Sequence, residues 1–419
     1  MEPQQPNAPG RTTTLAAFAH RNFRLYFAAQ VGSTIGTWIQ IIVENWLVLE
    51  LTHSGLALAF TNALQFGPAV LLGMYGGVIA DRYDRRRLLM LTQASLGILA
   101  LIVGLLATFG IVRVWIIWFA AFGLGLVKCF DMPALQSFVK DLVGPTNLPN
   151  AVAWSNAINA TGRMVGPVFG GLVLATLGPA PGFLINAASF ALIVAMLAVL
   201  RPQELSPRAL APKGHGQIGQ GFRYVRNDSI LAATCLVMII VFIAAYNFQI
   251  SLALVASSLG GSSQTYGNLM SALGLGATAG SLILARRAHT GLSAVLACAG
   301  ILAAAQLAVA AASTLPLALG ASFAYGLGAG LFSVTVISTL QTRTAEDMRG
   351  RVMALYSICF LGSSPVGGPS FAALAGWIGI SGALQITALI CAAAAVSGII
   401  AWRTKISVQA RRHPSLSVH

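Results

Sequence analysis

Charge is scarce in this chain. Of its 419 residues 9% are Asp, Glu, Lys or Arg, while 56% are hydrophobic and the mean hydropathy is +0.77. No water-soluble domain hides that much apolar surface in one core, so lipid must be the solvent. Cysteine is rare as well. Cys129, Cys235, Cys298, Cys359 and Cys391 all fall in apolar stretches without metal-ligand spacing, so neither disulfides nor a metal site are expected. There is no phosphate-binding glycine loop, and no nucleophile, base and orienting group share a recognisable motif. Neither enzyme chemistry nor a cofactor is therefore expected. Residues 1–14 lack the apolar core of a cleaved signal and read as a disordered tail.

What is present is a succession of apolar runs, each long enough to cross ~30 Å of hydrocarbon. Twelve spans are expected, near 23–51, 55–80, 88–110, 114–139, 150–177, 182–200, 229–257, 265–285, 291–313, 315–341, 351–378 and 381–402. Lipid-facing backbone has to be helical, which predicts an all-α membrane protein. The formal net charge of +14 could indicate nucleic acid, but its distribution argues otherwise. With a cytoplasmic N-terminus, all but three of the 25 Lys and Arg lie on the cytoplasmic side, the exceptions being Arg113, Lys128 and Arg163. That asymmetry is the positive-inside rule. It predicts a multi-pass protein of the membrane with both termini cytoplasmic, and no nucleic-acid partner.

The longest polar interruption, 201–228, separates six spans from six and ends in a stretch around Gly221 to Arg226 that could lie as a short interfacial helix. The expected organisation is a tail (1–20), an N-terminal six-helix bundle (21–200), the linker (201–228), a C-terminal six-helix bundle (229–402) and a second tail (403–419). Shifting the sequence by 200 residues sets Gly76, Arg86, Arg87 and Gly162 on Gly276, Arg286, Arg287 and Gly362. Two same-sense repeats related by a pseudo-two-fold axis are how rocking-bundle transporters are built.

Ionisable groups inside hydrocarbon are costly, which makes them functional candidates. The spans keep four, Glu44, Lys128, Asp131 and Arg163, all in the first half. Glu44 ends a stripe of Gln30, Ser33, Thr37 and Gln40 on one face of span 1, since steps of three and four residues return to the same side of a helix. That face should line a water-filled cavity, with Trp38, Asn45 and Trp46 beside it offering aromatic surface to an amphipathic or cationic ligand. A desolvated carboxyl there could hold a proton and a cationic substrate in turn, the chemistry of an antiporter. It could equally be a structural carboxylate bonded to a neighbouring helix. Lys128 and Asp131, three residues apart, can pair with each other. Arg163 reads as a gate or packing residue, with direct substrate contact the lesser alternative. The second half offers neutral polar groups, Tyr246, Asn247, Gln249 and Tyr325, as a ligand-shaping wall or as interhelical hydrogen bonds.

The loop after span 2 carries Gly73, Gly77, Asp81, Arg82, Asp84, Arg85, Arg86 and Arg87. It resembles the signature loop of the major facilitator superfamily, with Asp84 in place of the second glycine. Gly77 permits close helix approach, and Asp81 can face the positive end of span 11 as a gate latch. Gly162, Gly166, Pro167, Gly170 and Gly171 resemble the antiporter element of that superfamily. Asp131 to Val139, Leu148 to Ala151, Arg163 with Gly166 and Pro167, Arg349 to Tyr356 and Gly362 to Pro365 are similar to its enterobactin-exporter-like branch, and the likeness covers nearly all of 20–400. Leu135 departs from that branch, which often has arginine there. Span 4 also lacks the arginine that many proton-coupled members carry before Gly123 and Gly125.

The resemblance implies a major facilitator fold with a site between the halves, lined by spans 1, 4, 7 and 10. It also implies a gate relay pairing Asp131 with Arg85. The expected function is export of small amphipathic drug- or siderophore-like molecules from a bacterial cytoplasm by alternating access. Protons are the coupling ion, the lipid bilayer the surroundings and a monomer the state. Uptake or facilitated diffusion by the same fold, and a transport-inactive scaffold or sensor, are the alternatives.

Overall fold

The computed structural model describes residues 15–205, 217–286 and 290–412, with only the backbone path at 74–81, 217–218, 285–286 and 399–412. The expectations for most of the N-terminal tail, for the end of the C-terminal tail, for Arg287 and for the side chains of Asp81 and Arg286 therefore lie outside the described residues. All described elements are helical: α1 (Arg21–Thr52), α2 (Gly55–Arg82), α3 (Arg85–Thr108), α4 (Val114–Leu177), α5 (Pro179–Val199), α6 (Gln217–Asn227), α7 (Ser229–Ala245), α8 (Phe248–Ser258), α9 (Ser263–Arg286), α10 (Leu292–Ala310), α11 (Leu315–Arg343) and α12 (Glu346–Arg412).

Polar side chains set the ends of these helices. Asp84, the departure from the signature loop, is the N-cap of α3, its Oδ1 accepting from the Arg87 N–H at 2.8 Å. Asp228 does the same for α7, accepting from Ile230 and Leu231. Two helices turn back on themselves. In α4 the break is Gly144, with φ 69° and ψ 177°, which a side chain would strain, and Pro145 follows it. Trp118 on one limb bonds Thr61 near the start of α2, whereas Asp141 just before the break bonds Arg85 at the start of α3. Beyond the break Gly171 returns to the level of Ser263. α12 reverses likewise at Gly379, φ 78°. Among the described residues, nine helical runs are long and apolar enough to cross a membrane, two of which contain these reversals. The polar stripe keeps α1 outside that set although its 32 residues span about 48 Å. The pattern is consistent with twelve crossings.

Span 7 departs from the single helix expected. It is interrupted at Tyr246 and Asn247, between α7 and α8. No proline or glycine marks the place, and side chains repair it. The Tyr325 hydroxyl donates to the Ala245 carbonyl at 2.6 Å, and Asn247 Nδ2 donates to Ile243 at 2.7 Å. In lipid a backbone carbonyl released from a helix has to be met this way.

α1 to α5 form one bundle and α7 to α12 the other. α6 lies at the linker face, its Tyr224 hydroxyl accepting from the Ala345 N–H and its Gly221 lying against the Arg351 backbone. The halves meet along α4 with α9 and α2 with α12. Where α4 crosses α9 the approach is backbone to backbone: a Cβ placed on Gly267 would sit 3.0 Å from Gly171 Cα and 3.2 Å from its nitrogen. This contact lies toward the far face, the face bearing the α1–α2 turn at His53. There Gly55 also meets Leu254.

A bulky residue at that crossing should pry the far face apart. Gly267→Leu is expected to lengthen the separation between spin labels at Glu50 and Ser257, both exposed at that face, in a background lacking native cysteines. An unchanged distance distribution in double electron–electron resonance would contradict the packing described.

Candidate functional site

The stripe on α1 is present but turned inward. Ser33, Gln40 and Glu44 are buried, and the stripe faces its own bundle rather than open space. Gln40 Nε2 donates to Glu44 Oε2 at 3.4 Å while Gln40 Oε1 accepts from Asn186 Nδ2 at 2.7 Å. Asn186, on α5, lies 3.5 Å from the Thr37 hydroxyl and accepts from Ser189 at 3.0 Å. Gly36 leaves the room that Asn186 needs. Sequence reasoning missed Asn186, a lone polar residue in an apolar helix. Lys128 from α4 lies within electrostatic reach of both Glu44 and Asp131, so one cation serves two carboxylates.

The expected pairing of Asp131 with Arg85 is corrected. Asp131 Oδ1 accepts from Thr92 Oγ1 at 2.6 Å and Gln93 Nε2 at 2.9 Å, both on α3. Arg85 instead grips both oxygens of Asp141, at 2.9 and 3.0 Å, across a half-buried contact at the linker face. The reason is reach: Asp131 is ten residues, about 15 Å along the helix, from Asp141, which stands at the linker end just before the Gly144 reversal. Arg86 is used within the first half too, capping the last turn of α5 through the Leu197 and Ala198 carbonyls. Arg82 is exposed; Gly77 and the Asp81 side chain lie outside what is described.

Accessible polar and aromatic groups stand where the halves face each other. Arg163, in the second limb of α4, is exposed although it stands mid-helix with groups of both bundles around it. Its guanidinium carbon is 5.6 Å from the centre of the Trp38 ring. It also lies within electrostatic reach of Tyr246, at the α7–α8 break, and Tyr356 on α12. The Trp38 face expected to meet a cationic ligand is thus taken by the chain's own arginine. Gly162 and Gly166 make this possible, since a side chain at Gly166 would run into Trp38 and one at Gly162 into Thr34, one turn before it. The wall opposite is aromatic. Tyr356 stacks on Phe360 with centroids 6.2 Å apart, Phe242 meets both at their edges, and Tyr246 meets Phe360 edge-on. Tyr246 is oriented by bonds of 2.7 Å to the Ala329 carbonyl and the Ser333 hydroxyl. Trp38, Arg163, Tyr246 and Tyr356 come from spans 1, 5, 7 and 11. Tyr325 of span 10 is fully buried at the α7–α8 break.

Asn45, expected near the ligand, helps seal the far face. It donates to the Tyr266 hydroxyl of α9 at 3.2 Å and accepts from Asn62, and Tyr266 donates to the Gln249 carbonyl at 3.1 Å. Trp46 stacks on Tyr266 at 6.1 Å.

The pattern that defines the transmembrane secretion effectors matches residues 12–416. The chain belongs to this family. It is a major facilitator transporter, as the resemblance of its loops implied, and the family is one of transporters rather than enzymes. Among its relatives, the enterobactin exporter EntS of Shigella flexneri is 27% identical over 372 residues, 86% of this chain and 85% of that one. The staphyloferrin A transporter of Staphylococcus aureus is 28% identical over 172 residues, 41% of this chain; the match spans 43% of that relative's length. The fold matches a bacterial homologue of the human lysosomal transporter Spinster, solved inward-facing and unoccupied, with a TM-score of 0.68 at 14% identity over 91% of this chain and 94% of that one.

The corrected ion pair can be checked by a double-mutant cycle. Arg85→Ala and Asp141→Ala should couple by roughly 0.5–1 kcal/mol in reversible unfolding, the range for a half-buried bidentate pair. Arg85→Ala with Asp131→Asn should be additive. Coupling of Arg85 to Asp131 instead would restore the pairing first expected.

Proposed function

We propose that this secretion effector exports small amphipathic molecules, drug-like or siderophore-like, from a bacterial cytoplasm across the inner membrane, with inward proton flow as the driving force. The observation that carries the reading is the buried Glu44 carboxyl, bonded to Gln40 and sharing Lys128 with Asp131. A carboxyl in that setting can be neutralised either by a proton or by a closer approach of Lys128. The two arrangements give the bundle two states for the coupling ion to select between. The relatives named for siderophores support the substrate class.

The linker face, with its basic loops, is taken as cytoplasmic. The sealed far face and the exposed Arg163 then describe an inward-open state. Switching would break the Asn45–Tyr266 contact, with the Gly171–Gly267 crossing as the pivot. The Asp81 loop against span 11 is the latch of the opposite state, and the transporter works as a monomer.

A panel of siderophores and toxic dyes, tested for accumulation in cells lacking or overexpressing the protein, identifies a substrate. In proteoliposomes its efflux should fall about ten-fold when the pH gradient is collapsed, and Glu44→Gln should remove the dependence on the gradient. Efflux indifferent to both would defeat proton coupling. Net uptake in the physiological orientation, scored in inverted vesicles, would defeat export.

A further inference from the structure

The charges inside the spans are unevenly compensated. Lys128, which likewise forms no ion pair within 4 Å among the described residues, has two carboxylates, Glu44 and Asp131, within electrostatic reach. Arg163 faces none: it forms no ion pair within 4 Å among the described residues, and its electrostatic neighbours are Tyr246 and Tyr356. A fixed positive charge among apolar helices carries a cost that only the water or anions reaching it can meet, and Arg163 is exposed to them. Bringing Trp38 beneath the guanidinium softens that cost without neutralising the charge. Arg163 stays exposed with Trp38 against it, and within its electrostatic reach stand Tyr246 and Tyr356, the latter stacked on Phe360, which is 37% exposed.

We propose that this region between the halves is a binding site for aromatic anions, in which Arg163 is the counter-ion of a carboxylate or comparable acidic group and the Tyr246, Tyr356 and Phe360 wall takes the ring. The geometry suits both parts of such a molecule. A guanidinium presents a planar fork of donors that matches a carboxylate in two bonds, and offset or edge contacts with aromatic rings favour a flat ligand over an aliphatic one of equal size. The Trp38 contact also fixes the guanidinium plane before the ligand arrives, so less freedom is lost on binding. A cationic amphiphile would meet Arg163 as a like charge. The site therefore excludes the cationic drugs that an open aromatic surface on α1 would have favoured.

The assignment rests on reading the chain as a carrier of small amphipathic molecules. It is tested at equilibrium without any gradient, so it can fail while proton coupling stands, or stand while coupling fails. Purified protein in phosphatidylcholine nanodiscs is equilibrated by dialysis with 2-naphthoate, 2-naphthamide and 2-naphthylmethylammonium, with empty nanodiscs subtracted. These probes share a ring and differ in charge. The naphthoate should bind about ten-fold or more tighter than the amide, the range for a hydrogen bond to a charged group, and the ammonium weakest. Arg163→Gln should abolish the preference of acid over amide while leaving amide binding near its original level. Arg163→Lys should keep part of the preference, and Tyr356→Ala should weaken acid and amide alike.

Equal binding of acid and amide by the unaltered protein, preference for the ammonium, or failure of the naphthoate to bind would each overturn the proposal, whatever the variants do. Acetate displacing the naphthoate at comparable concentration would mark a general anion site. Displacement by phosphatidylglycerol added to the nanodiscs would mark a lipid headgroup site. Either result also removes the aromatic assignment.

Discussion

In hydrocarbon no water is at hand to complete a broken hydrogen bond, and this one constraint organises the molecule. It makes every described element a helix. It also explains the polar side chains that otherwise look scattered. Tyr325 and Asn247 serve carbonyls at the α7–α8 interruption, Arg86 serves the last carbonyls of α5, and Asp84 and Asp228 serve the first amides of α3 and α7. Each spends a polar group on the backbone, which narrows the set left for ligand and ion chemistry to Glu44, Lys128, Asp131 and Arg163.

Those four divide by location. Glu44, Lys128 and Asp131 lie within the first bundle, closed in by α3, α4 and α5, where charges can exchange partners without opening the protein. Arg163 lies where the bundles face each other. Coupling ion and cargo would then be handled at different places, joined through α1, which carries Trp38 on one side and Gln40 and Glu44 on another. A motion of α1 relative to α4 would be felt at both.

Much of this was readable from the chain alone, and the failures have physical causes. Apolar runs and basic loops report the spans because lipid imposes length and charge asymmetry directly. The stripe on α1 was visible as a helical period, but period shows only that residues share a face. Which neighbour covers that face depended on Asn186, 146 residues from Gln40 and unremarkable in an apolar helix. The Arg85 partner was misassigned because two aspartates, Asp131 and Asp141, compete on α4, and the choice turns on where Gly144 ends the helix. The α7–α8 interruption carried no glycine or proline to announce it. The antiporter-like glycines were visible as a motif, but their partners, Thr34 for Gly162 and Trp38 for Gly166, could be known only from the fold.

The crossing of α4 and α9 has a mechanical consequence. Interlocked side chains would have to change rotamer each time one bundle rolled over the other, adding a threshold at every step. Gly171 against Gly267 presents two smooth backbones instead, closer to a bearing than to a gear. Resistance to turning is thereby moved off the axle and onto the rim, to the few polar bonds around Tyr266. Small changes there should set how long the molecule dwells in each orientation, while changes at the axle should jam both.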